Sequence, residues 1–262
     1  MEDENSPLPG DSDEESSGDR PLSASAAGYG DEPESKLQKL NHLSAARIFR
    51  NLSARDLLEI ETVATTKVIP RGTDIYTPGE TGDALLLLHK GRVNLYRLSA
   101  EGRKLITQVI GPTMFFGELS VMGRPTRDHF AQAAEHCLVS VIPGAELQRL
   151  ILKKPEIALR MMEEISQRVQ EAHEALGMFA FKSIPARIAS LLMRLSEGGS
   201  KPVTGTRHQD IADMLGIYRE TVSTTLGNLR EDEVIEMSRR EIVILNAGRL
   251  REIAEGEILR RQ

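Results

Sequence analysis

The sequence predicts an α+β protein: an antiparallel β-roll, then one long helix, then a C-terminal helix-turn-helix with a small β-wing. Three stretches predict it. Between Lys67 and Ile142, short runs of strand-forming residues alternate with Gly72, Gly79, Gly82, Gly91, Gly102 and Gly111, which is strand-and-turn punctuation. From Pro155 to about Lys182, apolar residues recur at alternating steps of three and four, the repeat of a helix with a coiled-coil seam. RHQDIADMLGIYRETVSTTLGNLRE, from Arg207 to Glu231, reads as two short helices about a tight turn. The expected segments are 1–35, 36–154, 155–182 and 183–262.

Residues 1–35 hold eleven acidic residues and one arginine with almost nothing apolar. Such a segment cannot offset the entropy of ordering and is expected to be disordered. The formal charge of -6 is therefore an average, because the remaining chain carries 32 basic against 28 acidic residues and is mildly basic. Between Lys36 and Val63, Leu37, Leu40, Leu43, Ile48, Leu52, Leu57, Leu58 and Ile60 are spaced for short amphipathic helices, and Ser53 with Asp56 resembles a capping box. The clearest strands of the roll are 84–89, 93–98 and 104–110.

In the long helix Pro155 suits a first turn, and Met162, Ile165, Val169, Ala172, Leu176 and Phe179 form a seam on which two copies can pair. The same period also suits a helix packed on its own domain. Ser183 and Pro185 end that helix and open the next, a natural hinge.

In the C-terminal pair of helices, Ile211, Leu215, Val222, Leu226 and Leu229 bury one side of each, and small Ala212 lets them cross closely. Gly216 is expected in the left-handed position after the first helix, with Ile217 tucked into the angle. Arg219, Glu220, Ser223 and Thr224 are left facing outward, with Arg207, His208 and Gln209 at the start of the first helix. These are the candidate DNA contacts. An arginine in a first helical turn opposes the macrodipole by roughly 0.3–1 kcal/mol, so stability does not select Arg219, whereas its fork suits guanine O6 and N7. The runs 234–237 and 242–245 make a wing whose turn, Arg239 and Arg240, suits phosphates. A helical hairpin with a solvated charged face explains the pattern when taken alone. Residues 247–262 read as a charged helix without evident purpose.

No apolar run approaches membrane-spanning length and the first residues are acidic, so the expected location is the cytoplasm, away from membranes. Cys137 is the one cysteine, which excludes an internal disulfide, a cysteine-ligated zinc knuckle and a four-cysteine iron-sulfur cluster within one chain, and its apolar setting suits a core residue. The sequence shows no nucleophile with a base, no metal cluster and no G-x-x-x-x-G-K phosphate loop, so an enzyme is not expected. His173 reads as a helix-surface histidine rather than a haem ligand.

The stretch RGTDIYTPGETGDALLLLHKGRVNLYRLSAEGRKLITQVIGPTMFFGELSV resembles the cyclic nucleotide-binding β-roll. Together with the later helix-turn-helix, the chain from about Arg47 to Leu245 resembles the cyclic AMP receptor protein/FNR (Crp/Fnr) family of bacterial transcription regulators. The resemblance implies a sensor domain at 36–154, a dimerisation helix at 155–182 and a winged DNA-binding domain at 183–262. It implies a cytoplasmic homodimer on a near-palindromic double-stranded DNA site, with RNA polymerase as a further partner. It also places a ligand at Phe116, Gly117, Glu118, Leu119, Arg127 and Arg168, where a helix N-terminus and guanidinium groups favour an anion.

The chain departs from the family pattern at Asp128, where cyclic AMP binders carry Ser or Thr. A carboxylate there is expected to repel a phosphate or to pair with Arg127. Ala172 and His173 stand where a Thr-Ser pair reaches for adenine. Three readings of the roll stay open: cyclic AMP, another nucleotide or anion, or no small ligand, with Glu118 and Arg127 as a structural ion pair. On the recognition helix Arg219 and Glu220 follow the family, but Thr224 replaces a second arginine and Tyr218 a capping serine. The competing function is a nucleotide-sensing protein that regulates another protein rather than DNA.

Overall fold

The computed structural model describes residues 36–121, 126–238 and 241–256. The acidic segment 1–35, the wing tip Arg239 and Arg240, and the last residues from 257 lie outside them. Helices α1 (Lys36–Ala45) and α2 (Ala54–Val63) flank a 3-10 turn at Arg47–Phe49. The capping box forms: the Asp56 amide donates to the Ser53 hydroxyl oxygen at 3.2 Å, and the Ser53 amide to the Asp56 carboxylate at 3.2 Å.

The roll comprises β1 (Thr65–Ile69), β2 (Asp74–Tyr76), β3 (Ala84–Lys90), β4 (Val93–Leu98), β5 (Lys104–Ile110) and β6 (Phe115–Phe116). It is completed by a single-turn helix α3 (Glu118–Val121), β7 (Phe130–Ala133) and β8 (Cys137–Pro143). The strands form two antiparallel four-stranded sheets, ordered β1-β8-β3-β6 and β2-β7-β4-β5. Four consecutive leucines in β3 are buried because both faces of that strand are covered. Leu85 and Leu87 pack with the N-terminal helices, while Leu86 and Leu88 face the inter-sheet interior beside Val93, Leu95, Ile110 and Phe116, the alternation a strand imposes. Cys137 is buried in the same interior.

Helix α4 (Gly144–Lys153) and the first turns of α5 (Pro155–Phe181) seal the outer leucines with Leu147, Leu150, Ile157 and Met161. After Ser183, whose hydroxyl accepts from the Ala186 amide at 3.5 Å, come α6 (Ile184–Leu195), β9 (Val203–Thr204), α7 (His208–Leu215) and α8 (Arg219–Glu231). The wing strands β10 (Ile235–Ser238) and β11 (Glu241–Ile244) and the helix α9 (Ala247–Glu255) follow. The wing sheet has a third strand, in the order β10-β11-β9; β9 is two residues long and carries no period in the sequence. Helix α9 acquires a purpose: Leu250, Ile253 and Ala254 are buried, and it packs against α6 to close the C-terminal core.

His89 in β3 shares a hydrogen bond of 2.7 Å with the Ser140 hydroxyl and stacks on His42 with 5.2 Å between ring centroids. Burial, with His42 beside it, pushes its pKa from 6.5 down to about 4. The folded state therefore holds His89 neutral at pH values where the unfolded chain binds a proton. Its contribution to stability is complete above pH 6.5 and is lost as pH falls towards 4. Urea unfolding at pH 5 should give roughly 1–2 kcal/mol less stability than at pH 7 from this group, and His89→Gln should flatten that dependence.

Candidate nucleic-acid interface and anion pocket

Gly216 closes α7 at φ 61° and ψ 33°, a left-handed conformation that a side chain disfavours. The Ile217 amide donates to the Ala212 carbonyl at 3.1 Å, completing the turn. Ile211, Ala212, Leu215, Val222, Leu226 and Leu229 are then buried in one cluster, as the spacing requires. What stays outward is Arg219 and Glu220 in the first turn of α8, Thr224 one turn later, and Ser223 half-buried beside it. The Thr224 hydroxyl donates to the Glu220 carbonyl at 3.0 Å, so its polar group is satisfied within the helix. Ser223 Oγ meets His208 Nδ1 at 2.9 Å.

The first turn of α7 is tied to itself. Arg207 holds Asp210 through its amide (2.7 Å) and through Nη2 (3.1 Å), and Gln209 donates to Asp213 at 2.7 Å. Tyr218 caps α8 without a side-chain bond, as its residue type implies. Its ring lies under the Arg103 guanidinium of the roll, 5.1 Å from the centroid. Helix α7 rests against β5, and a Cβ at Gly216 would stand 3.2 Å from Leu105.

In the roll, Arg127 is 6 % exposed. It donates from Nη1 to the Gly117 carbonyl at 2.7 Å and from Nη2 to the Ala84 carbonyl at 3.2 Å, with its guanidinium 4.4 Å over the Tyr76 ring. Burial lowers its pKa. Gly117 is required twice over: its φ is 82°, and a Cβ there would lie 2.5 Å from Arg127 Nη1.

Asp128 does not pair with Arg127. Its carboxylate turns away from Arg127, taking a bond from Arg97 at 2.6 Å and meeting His129 Nδ1, while His129 Nε2 meets the Tyr76 hydroxyl at 3.0 Å. Arg127 exchanges backbone bonds with Glu80 and Gly79 as in a strand pair, and neighbours on an extended segment point to opposite faces. Burial raises the Asp128 pKa, but His129 and Arg97 outweigh it and hold the carboxyl below its usual range.

The ion pair expected between Glu118 and Arg127 is also replaced. Glu118 is met at 3.4 Å by Arg168 of α5, which bonds Glu164 at 2.5 Å and the Phe115 carbonyl, with its guanidinium 4.5 Å from the Phe115 ring. Glu164 is 6 % exposed. The i,i+4 spacing of Glu164 and Arg168 is legible in the sequence; their burial is not. The Phe116 ring is core, tilted against Tyr76 with 6.2 Å between centroids, and of the Leu119 side chain the described residues say nothing. Arg127 Nε, Arg168 Nε and Glu164 Oε2 are buried without a hydrogen-bond partner. On α5, Met162, Val169, Ala172, His173 and Leu176 are exposed, Ile165 packs partly on the core of the roll, and Phe179 sits half-buried near Arg187.

Among the described residues no helix is long and apolar enough to cross a membrane, and no group of His, Cys, Asp or Glu is placed to hold a metal. Residues 66–154 match the cyclic nucleotide-binding domain family and residues 186–253 the Crp-like helix-turn-helix domain family. A cyclic AMP receptor protein of Thermus thermophilus is 28% identical over 82% of this chain and 99% of its own length. The CRP-like cAMP-activated global transcriptional regulator of Mycobacterium tuberculosis is 26% identical over 79% of this chain and 96% of its own. A solved CRP/FNR-family transcriptional regulator from Thermus thermophilus superposes with a TM-score of 0.58 at 27% identity, covering 73% of this chain and 99% of that one. The chain belongs to the Crp/Fnr family. It is a DNA-binding transcription regulator of the Crp/Fnr type.

Sequence reasoning on this Crp/Fnr regulator missed Glu164, Tyr76, Arg97 and His129, and apart from the Glu164–Arg168 spacing no sequence signal marks them, since they meet across distant strands. Breaking a buried ion pair on one side costs roughly 3–5 kcal/mol. Arg168→Ala should therefore lower stability by about that amount in urea unfolding, and Glu164→Leu combined with Arg168→Met should recover most of the loss.

Proposed function

We propose that this Crp/Fnr regulator acts in the cytoplasm as a homodimer, α5 against α5, with two α8 helices entering successive major grooves of a near-palindromic site, and that it meets RNA polymerase there. It works by binding rather than catalysis. One observation carries the dimer: α5 buries Ile157, Met161 and Glu164 against the roll, while Met162, Val169 and Leu176 remain 61%, 49% and 67% exposed on another face. An apolar stripe at coiled-coil spacing on a helix already sealed elsewhere is the geometry of a self-complementary seam. Arg219, Glu220 and Thr224 then read base edges, with Arg219 suited to guanine, Glu220 to cytosine N4 and the Thr224 methyl to thymine.

The relatives named for cyclic AMP carry a nucleotide ligand to this chain as a proposal. The residues here fit an anion better than they fit cyclic AMP. Each Nη group of Arg127 already gives one N–H to a backbone carbonyl, Nε has no partner, and position 128 offers no hydroxyl towards Arg127. Ala172 supplies no adenine contact. When bound, such a ligand supplies a phosphate or similar charge; Arg127 and Arg168 would hold that charge, and Glu118 would take a hydroxyl of the ligand.

Val169→Asp with Leu176→Asp should give a monomer in sedimentation, because two unpaired charges enter the desolvated seam; a persisting dimer would remove this face from the interface. Ile165 is the poorer probe, since it also supports the roll. Calorimetry should show weak or absent cyclic AMP binding, unchanged by Asp128→Ser, because that carboxylate faces Arg97 and His129. Site selection should show Arg219→Ala losing roughly 1–3 kcal/mol at one base pair, whereas a uniform loss across sequences would mean α8 is not docked this way.

A further inference from the structure

Three hydroxyl residues follow one another on α8, and they are satisfied differently. Thr224 and Thr225 donate to the carbonyls four residues back, at 3.0 and 2.9 Å, the usual recourse of a helical hydroxyl. Ser223 instead meets Nδ1 of His208 at 2.9 Å, so its hydroxyl is drawn off its own helix and towards the start of α7. His208 is half-buried and opens α7 next to exposed Arg207.

We propose that His208 is the positioning residue that decides what Ser223 reads on DNA. The inference rests on the placement of α8 in the major groove given above. A lone serine hydroxyl is a donor and an acceptor at once and discriminates poorly between base edges. In that docking the start of α7 faces the DNA backbone, and a phosphate oxygen accepts from His208 Nε2–H. A neutral imidazole that donates from Nε2 is an acceptor at Nδ1. The Ser223 proton is thereby committed to His208, and only the lone pairs of Oγ remain for the groove. The base groups that donate there are the amino groups of adenine N6 and cytosine N4, whereas guanine O6 and N7 and thymine O4 are acceptors. The His208–Ser223 pair therefore selects an amino-bearing base, adjacent to those read by Arg219 and Thr224, and rejects guanine and thymine at that position.

The test is selection from a random duplex library with the full chain, followed by competition binding at each half-site position. One position should favour adenine or cytosine on the strand read by α8 by about tenfold. Ser223→Ala and His208→Ala should each flatten that position and no other, and the double variant should be no flatter than either. His208→Asn, whose amide oxygen can take the serine proton, should keep the preference. A His208→Ala variant that binds every sequence equally more weakly while the preference stands overturns the positioning role, as does a wild-type preference for guanine or thymine there. If the wild type selects no site, or Arg219→Ala leaves selection unchanged, the placement of α8 fails and this inference with it.

Discussion

A buried carboxylate in a helix–sheet interface is tolerable only where a cation meets it, and Glu164 meets Arg168 at 2.5 Å with both groups almost wholly enclosed. The same guanidinium reaches Glu118 on α3 and the carbonyl of Phe115. One side chain of α5 thus joins the long helix to the strand β6 and the short helix α3. Desolvating three charged groups is costly unless their geometry is held, so the contact constrains how α5 lies on the roll. The angle at which α5 leaves the roll in turn sets where its exposed stripe points. The proposed seam and the proposed ligand site are therefore coupled through this contact.

The second constraint is the way the roll treats its own arginine. Arg127 is neither free for a ligand nor paired with a carboxylate; it is bonded to two backbone carbonyls and stacked on Tyr76. The Tyr76 hydroxyl continues through His129 and Asp128 to Arg97 near the surface. A ligand at Arg127 must exchange interactions with this network rather than add to an empty site, and any energy it contributes is the difference between the two sets of bonds.

The reading head is joined to the roll by contact as well as by the chain. Leu105 lies by the Gly216 turn and Arg103 over Tyr218, while Ser183 caps α6 at the break after α5. The head itself is not strongly basic, with twelve residues of each sign from Ile184 to Gln262. Several of its polar side chains are already engaged by neighbours, as Ser223 is by His208 and Arg207 by Asp210.

The elements with local causes were legible in the sequence. The period of α5 ends it at Phe181 against an expected Lys182, Gly216 is left-handed where a turn demands it, Ser53 and Asp56 cap α2, and the wing strands fall within one residue of their expected places. The roll and the helix-turn-helix were legible for the same reason, because hydrophobic period and glycine placement act over a few residues. What only the tertiary structure decided is which distant groups meet. It turned Asp128 to Arg97 instead of Arg127, gave Glu118 to Arg168, buried Glu164, laid α9 on α6 and added β9 to the wing. In each case the partners are separated along the chain or their burial depends on another element, and the side-chain direction that brings them together is set by the packing of whole strands and helices, which residue spacing does not encode.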